Sequence, residues 1–241
     1  MSKYWLSLIG SVILFIAPLG AQNLSIGIGA GPHSVTRRYA VEEEDDDGVD
    51  IEKERGAGLF VGPSVLFGVN DNVRVSVDLL LSWGRDSDED KEEYTFGSIQ
   101  TKKVSKYTYN EIFLNVPIMG RYRYSLGNVA LEGGTGLQLN YWVSARSKSE
   151  TTITERNIRT GVETVRREAD ETDILEDNDD VNRVSLSIPL IVGAAFEVGG
   201  GELGLYLRWD PMLTNLYDDD DFRLTRTTLG LMAAYYFKVG R

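Results

Sequence analysis

The stretch that decides the fold is residues 184–209, which read VSLSIPLIVGAAFEVGGGELGLYLRW. From Val184 to Val198 an apolar residue occupies every second position, and most of the positions between them hold small or polar residues. The alternation resumes after the glycine run and continues to Trp209. A period of two predicts strands with one apolar face and one polar face, and the glycines predict a tight hairpin between them.

The polar face of this hairpin carries charges, among them Glu197, Glu202 and Arg208. Each run is long enough to cross a bilayer as a tilted strand, which takes about 9–11 residues. A soluble lipocalin-like barrel would need an apolar interior, whereas here the charges share one face. We therefore predict an all-β fold, an eight-stranded antiparallel up-and-down transmembrane β-barrel with lipid outside and a polar lumen.

Composition narrows the function further. The chain has 241 residues, which suits one all-β domain, and a formal net charge of −12. An acidic surface repels phosphate and argues against nucleic acid as a partner. The chain has no cysteine, which excludes disulfides, thiol catalysis, thiolate metal sites and a lipid anchor on a cysteine.

The N-terminus has the features of a secretory signal peptide. Lys3 precedes an apolar run from Leu6 to Ala17, and a small residue, Ala21, stands at the expected cleavage site. The apolar run is short for a membrane-spanning helix. We predict a signal peptide over residues 1–21 and an outer-membrane β-barrel domain over residues 22–241, with export to the outer membrane.

The connections between the predicted strands alternate strictly between long and short. The charge-rich segments are predicted as loops, three of them long, at residues 32–56, 85–106 and 147–182, and one shorter and acidic, at residues 214–223. The short turns are residues 70–72, 126–128 and 199–201. Outer-membrane barrels keep long loops outside the cell and short turns in the periplasm, so both termini are expected in the periplasm. Two groups of aromatic residues, one near each rim, agree with this arrangement.

Three passages carry a family resemblance. They are residues 110–124 (NEIFLNVPIMGRYRY), 130–145 (ALEGGTGLQLNYWVSA) and 191–216. They resemble the PorT-like outer-membrane β-barrel family of Bacteroidota, which has an acidic residue before a Leu-x-Ile-Pro-Leu strand that ends in Lys-Tyr or Arg-Tyr, and a later Arg-Tyr…Gly-Leu-Thr-Asn strand end. The matching residues are Glu111, Leu114, Pro117, Arg121, Tyr122, Arg208, Leu213, Thr214 and Asn215.

The chain departs from the family pattern in three places. Trp209 replaces the tyrosine, Met212 replaces the glycine, and Phe237 is not the terminal residue. The resemblance implies a barrel in the outer membrane. Most members of the family have no assigned biochemical role, and the namesake takes part in assembling a protein-secretion system.

The inner face of the predicted barrel collects charges of both signs. A lumen of eight strands is just wide enough to be filled by side chains. Buried charges need partners, so we predict a salt-bridged plug, with a narrow path for ions or solutes as the alternative. The predicted inward charges are Arg74, Arg121, Arg123, Arg146, Arg208, Arg226, Asp78, Glu111, Glu132, Glu197, Glu202 and Asp210.

The sequence offers little for catalysis. Hydrolases and acyltransferases usually need a histidine as general base, and the single histidine is His33. The adjacent Ser34 points to the opposite face of the strand, although Ser82 or Ser144 could approach His33 from another strand. We predict no catalytic residue.

Two acidic segments have some features of metal sites. Glu43, Asp45, Asp47, Gly48 and Glu54 follow the spacing of an EF-hand loop, but the first position is Glu and no flanking helices are evident. A solvated acidic loop explains this segment better, and the same holds for residues 218–221. The sequence predicts no metal or cofactor.

Together these features predict a non-catalytic outer-membrane barrel. Its expected role is structural, in adhesion or in envelope assembly, and its expected partners are the outer-membrane lipid bilayer and envelope proteins that contact the acidic loops. A small channel is the main alternative, and a lipid-modifying barrel enzyme is a third.

Overall fold

The computed structural model of the protein describes residues 24–42, 49–177, 181–217 and 222–239. The signal peptide predicted at residues 1–21 lies outside the described residues, as do residues 43–48 and the acidic run 218–221. The described chain folds into eleven strands and one short helix, α1 (Ile174–Asp177). The strands are β1 (Leu24–Glu42), β2 (Val49–Gly68), β3 (Val73–Asp78), β4 (Leu80–Phe96), β5 (Ile99–Leu126), β6 (Val129–Asn157), β7 (Glu163–Asp173), β8 (Val184–Ser187), β9 (Leu190–Val198), β10 (Gly201–Pro211) and β11 (Phe222–Val239).

The sheet closes on itself. β1 pairs with β2 on one side and with β11 on the other, from Leu24 opposite Val239 to Val41 opposite Phe222. β3 and β4 together make one crossing of the wall, and so do β8 and β9. β7 pairs with the part of β6 that continues beyond the wall. The predicted eight-stranded antiparallel up-and-down barrel is therefore confirmed.

The two ends of the barrel differ, and we call them the turn end and the hairpin end. At the turn end, neighbouring crossings are joined by tight turns at residues 70–72, 127–128 and 199–200. Gly199 and Gly200 have φ angles of 59° and 82°, as a two-residue type I′ turn requires. At the hairpin end, the strands continue far beyond the barrel as the β1–β2, β4–β5 and β6–β7 hairpins.

These hairpins correct the prediction of long loops. Residues 85–106 lie in a ladder that runs from Arg85 opposite Asn110 to Phe96 opposite Ile99. β7 likewise lies inside the predicted loop 147–182. The loop prediction rested on charge density, but strands that stand clear of the membrane can be polar on both faces. Opposite charges across the ladder, such as Lys103 and Glu92 at 3.5 Å, stabilise such strands.

The outer wall of the barrel is apolar. Side chains at alternate positions stay open to the surroundings, with exposed fractions of 56% for Ile28, 62% for Leu137, 60% for Val192 and 61% for Leu231. Aromatic side chains lie near both rims of this band. Trp83 and Trp209 lie at the hairpin end, and Tyr122, Tyr124 and Phe237 lie at the turn end. An apolar band between aromatic girdles is the lipid-facing surface of a transmembrane barrel.

One prediction about the faces is wrong. The ladder between β5 and β6 shifts its register, so that Ile112 pairs with Ser144 while Phe113 pairs with Trp142. The extra residue, Val143, makes a β-bulge and reverses the alternation of β6 beyond it. Arg146 consequently points outward with 60% of its side chain exposed, and it pairs with Asp173 at 3.5 Å.

Within the described part of the chain, no helix is long and apolar enough to cross a membrane.

Candidate functional site in the barrel lumen

The lumen at the turn end contains a four-charge cluster. Arg74 of β3 lies 3.1 Å from Glu132 and 2.6 Å from Glu202. Arg123 of β5 lies 3.3 Å from the same oxygen of Glu132 and also contacts Glu202. The hydroxyl of Tyr206 donates a hydrogen bond to Glu132 at 2.8 Å. Two guanidinium groups and two carboxylates therefore neutralise one another across strands β3, β5, β6 and β10.

A second cluster surrounds Arg121. Its Nε donates to Ser76 at 2.9 Å and its Nη1 to the Tyr236 hydroxyl at 3.0 Å, while its Nη2 lies 3.6 Å from Asp78. Asp78 also accepts a hydrogen bond from Ser64. The guanidinium is thus held by groups from other crossings of the wall.

Arg208 forms a third cluster with polar residues of β6, β10 and β11. Its Nε lies 2.8 Å from an oxygen of Asp210, which also accepts a hydrogen bond from Thr228 at 3.0 Å. On the other side, Arg208 donates to Gln138, whose amide donates to Asn140 at 2.5 Å. The result is a polar layer across the lumen that ends on β8, where Asn140 reaches Ser187.

The fourth cluster lies at the hairpin end. Glu111 accepts from Arg226 at 2.8 Å and from Arg37 at 3.2 Å. Arg37 also reaches Asp86 at 3.2 Å and Glu54 at 3.4 Å. Sequence reasoning missed Arg37 because it placed this residue in a loop. The alternation of β1 would have revealed it, since Arg37 lies four residues beyond the inward His33.

These clusters fill the lumen with paired charges. Arg37 and Arg121 are each 1% exposed, and Arg208 is 2% exposed. A cleft of about 550 Å³ opens at the hairpin end and one of about 210 Å³ at the turn end, and no residue lines both.

Ten of the twelve charges predicted to line the lumen take part in these clusters. The two exceptions are Arg146, which points outward after the bulge, and Glu197, which is exposed at the turn end and pairs with Lys238 at 3.1 Å. The sequence therefore located most of the charges that line the lumen.

The histidine lies in the lumen rather than in an open site. His33 Nε2 is 3.4 Å from the hydroxyl of Ser82, and both residues are almost fully buried. Ser34 points away and donates to the carbonyl of Leu229 at 3.3 Å. His33 Nδ1 has no hydrogen-bond partner among the described residues, so no carboxylate there orients the ring as a general base requires. The ring instead stacks on Phe60 at 5.7 Å.

The cleft at the hairpin end is lined by tyrosines and carboxylates. Tyr39, Tyr107, Tyr109 and Tyr217 line it together with Glu54, Asp86 and Asp88. The Tyr39 hydroxyl donates to Glu54 at 2.8 Å, and the Arg37 guanidinium lies 3.9 Å above the ring of Tyr109. Burial raises the pKa of the Asp86 carboxyl, and the charge of Arg37 opposes this rise.

Glu54, the last position of the EF-hand spacing, has partners at the hairpin end. It lies in β2, accepts from Tyr39 and pairs with Arg37. The first EF-hand positions, Glu43 to Gly48, lie outside the described residues. Among the residues described, no group of three or more potential ligands could hold a metal ion.

Residues 20–218 match the family described as outer membrane protein beta-barrel domain. The chain belongs to this family. A search of the curated proteins found no match.

Solved structures of outer membrane barrels resemble the fold, each at low sequence identity. Neisserial surface protein A is 10% identical, with 89% of this chain and 97% of that chain covered and a TM-score of 0.39. Ail of Yersinia pestis is 14% identical, with coverages of 87% and 98% and a TM-score of 0.30. OprG of Pseudomonas aeruginosa is 8% identical, with coverages of 92% and 99% and a TM-score of 0.37.

Membership of the outer membrane barrel family places the protein in the outer membrane. The apolar wall then faces lipid, and the clusters around Arg121 and Arg208 lie in the lumen at the depth of the bilayer.

Proposed function

We propose that this outer membrane β-barrel is a non-catalytic structural component whose lumen is closed by its own side chains. It would act in adhesion or envelope assembly through the hairpin end. The observation that carries the proposal is the series of four ionic clusters, each joined by charge-assisted hydrogen bonds across the lumen. Oppositely charged side chains that pair across a narrow barrel favour a plug over a water-filled path.

Two other functions are less well supported. A channel would need a continuous path, whereas the two clefts share no lining residue. A lipid-modifying enzyme would need an oriented base beside a nucleophile, whereas His33 and Ser82 are buried and His33 Nδ1 has no partner in the described chain. The proposal of a non-catalytic barrel rests on these arrangements.

We also propose an orientation. The short turns would face the periplasm with both termini, after removal of a signal peptide at residues 1–21, and the hairpin end would stand outside the cell. The contrast between tight turns and long hairpins supports this arrangement. The motifs around Glu111 and Arg208 support the finer proposal that the barrel is PorT-like.

The hairpin end offers surfaces for a partner. Its tips carry exposed apolar side chains, with 86% of Phe96 and 63% of Val162 open to the surroundings. The face of β4 that points toward the cleft at the hairpin end carries three acidic residues at alternate positions, Asp88, Asp90 and Glu92. Apolar tips beside an acidic face would suit an envelope protein with a complementary basic surface.

Replacing Arg208 by alanine tests the plug. The change leaves Asp210, whose side chain is 11% exposed, without its cation, and removing one partner of a buried pair typically costs about 3–5 kcal/mol. We expect Arg208→Ala to lower the urea midpoint of unfolding and to leave planar bilayers non-conducting. Arg146→Ala is the matched control, since it removes the same charge from the exposed outer face. Unchanged stability together with a new or altered single-channel current in Arg208→Ala would reject the plug.

A further inference from the structure

Basic side chains gather on the outer wall at the hairpin end, just beyond the lipid-facing band. We call this group the basic patch; it consists of Arg38, Lys53, Arg55, Arg85 and Arg223, all of them exposed. Strand pairing makes the patch continuous. Arg38 lies opposite Lys53 across β1 and β2, and Arg85 lies opposite Ala57, two residues from Arg55. Arg223 lies opposite Ala40, two residues from Arg38.

The alternation of the strands sorts these charges by sign. Glu54 lies between Lys53 and Arg55 but points inward to Tyr39 and Arg37. Asp86 follows Arg85 and also points to Arg37. Among the described side chains, Glu54 and Asp86 are therefore used by the lumen. Within the described ranges, no residue of the basic patch forms an ion pair or a side-chain hydrogen bond.

Such a cluster is costly unless an anion covers it. Arg38 and Lys53 are directly opposite each other across an antiparallel pair, where like charges destabilise a sheet. The chain as a whole is acidic, so the accumulation of cations on one face is not a consequence of composition.

The position of the patch along the barrel axis indicates which kind of anion binds it. Directly below it, Leu59 and Trp83 are exposed on the lipid-facing wall. The patch thus begins where the hydrocarbon ends, at the level of lipid headgroups. The opposite rim differs, because its outward-facing described residues include the aromatic side chains of Tyr122, Tyr124 and Phe237 rather than a group of arginines.

We propose that the basic patch is a binding site for the phosphorylated headgroups of lipids in the leaflet at the hairpin end. Arginine suits this role, because its planar guanidinium binds phosphate through two parallel hydrogen bonds. If the hairpin end faces outward, as proposed above, the lipids are those of the outer leaflet. The patch thereby anchors the barrel laterally and fixes its depth in the membrane.

The test compares two variants with equal loss of charge. In the patch variant, Arg38, Lys53, Arg55 and Arg85 are all changed to Gln. In the control variant, Lys102, Arg156, Arg159 and Arg167, exposed residues farther out on the hairpins that form no ion pair in the described structure, are changed to Gln. Refolded protein in detergent is mixed with lipid A, or with dephosphorylated lipid A, and bound lipid is counted by native mass spectrometry.

We expect the wild type and the control variant to retain phosphorylated lipid A in preference to the dephosphorylated form. The patch variant should bind phosphorylated lipid A at least about tenfold more weakly, since each basic residue near an anionic surface adds to the attraction. Equal binding by the patch and control variants, or displacement of lipid A by inorganic phosphate alone, would overturn the proposal. The milder variant Arg38→Gln with Lys53→Gln serves if the fourfold change prevents folding.

This assay is independent of the proposed orientation and of the plug. Binding in detergent does not depend on which end of the barrel faces outward, and the patch lies on the outer wall rather than in the lumen. A failure here would therefore leave the proposed function standing.

Discussion

Trp142 and Ala145 both point into the lumen although they are three residues apart, which a regular strand does not allow. The bulge at Val143 makes this possible, and the ring of Trp142 stacks on Phe113 at a centroid distance of 5.4 Å. The inserted residue thus supports an aromatic contact on the inner face. It also turns Arg146 to the outside, where Asp173 neutralises it.

The bulge can be tested with single cysteines, because the chain has none of its own. We expect the thiol of Arg146→Cys to react quickly with a water-soluble maleimide and that of Ala145→Cys to be protected, since Ala145 is 0% exposed. Lys148→Cys, on an exposed side chain of the same strand, is the positive control. Both test positions should react in urea. Protection of Arg146→Cys together with labelling of Ala145→Cys in the folded barrel would mean that β6 keeps a regular alternation.

Whether a side chain faces the lumen or the lipid can be predicted wherever contact with lipid requires an apolar residue at every second position. Parity alone locates Arg121, Arg123 and Arg208 in the lumen, because one face of each strand must be apolar. Parity could not locate Arg146, since a bulge leaves no mark in the sequence. Parity would have located Arg37, because His33, Val35 and Arg37 are buried at alternate positions of β1, but residues 32–56 were predicted as a loop and the strand was not followed that far.

Among the elements, the hairpins show the limit of pattern reading most clearly. β4 beyond Arg85 and the part of β5 that pairs with it are polar on both faces. They therefore lack the alternation of apolar and polar residues that identifies a strand. Their register depends on cross-strand pairs such as Glu92 with Lys103 and on the hydroxyls of Ser105 and Thr151, which are 3.2 Å apart. Such pairs can be recognised only after the register is known.

The crossing formed by β3 and β4 offers a test of the lipid face. Leu79 lies between the two strands, its amide donates to the carbonyl of Pro63, and the neighbouring Leu80 is buried in the lumen. Arginine at this position should cost about 2–4 kcal/mol if it meets the middle of the bilayer. We expect Leu79→Arg to lower the free energy of unfolding in liposomes by this amount and so to lower the unfolding midpoint. Ser87→Arg, outward on β4 but beyond the apolar band, should leave the midpoint unchanged; equal effects of the two changes would contradict the face assignment.

For the whole molecule, one physical rule explains both the charged lumen and the basic patch. Where the strands are paired in the barrel, alternation sends apolar side chains to lipid and charges to the lumen. Above the lipid, the same alternation sends Glu54 and Asp86 inward, where they pair with Arg37, and sends Arg38, Lys53, Arg55 and Arg85 outward. The sequence therefore predicted the barrel and its polar interior. It could not predict the clusters themselves, because each joins side chains from strands that are distant in the chain, as Arg74 and Glu202 are.

The orientation of the whole barrel in the membrane is the last prediction. Thr95→Cys lies at the hairpin end and Asp71→Cys at the turn end, and both positions are exposed. On intact cells, a membrane-impermeant maleimide should label Thr95→Cys, whereas Asp71→Cys should stay unlabelled until the outer membrane is permeabilised. Ala145→Cys, buried in the lumen, should remain unlabelled in both conditions and thereby report that the barrel is folded. Labelling of the turn-end variant but not of the hairpin-end variant on intact cells would reverse the orientation, and the basic patch would then face the inner leaflet.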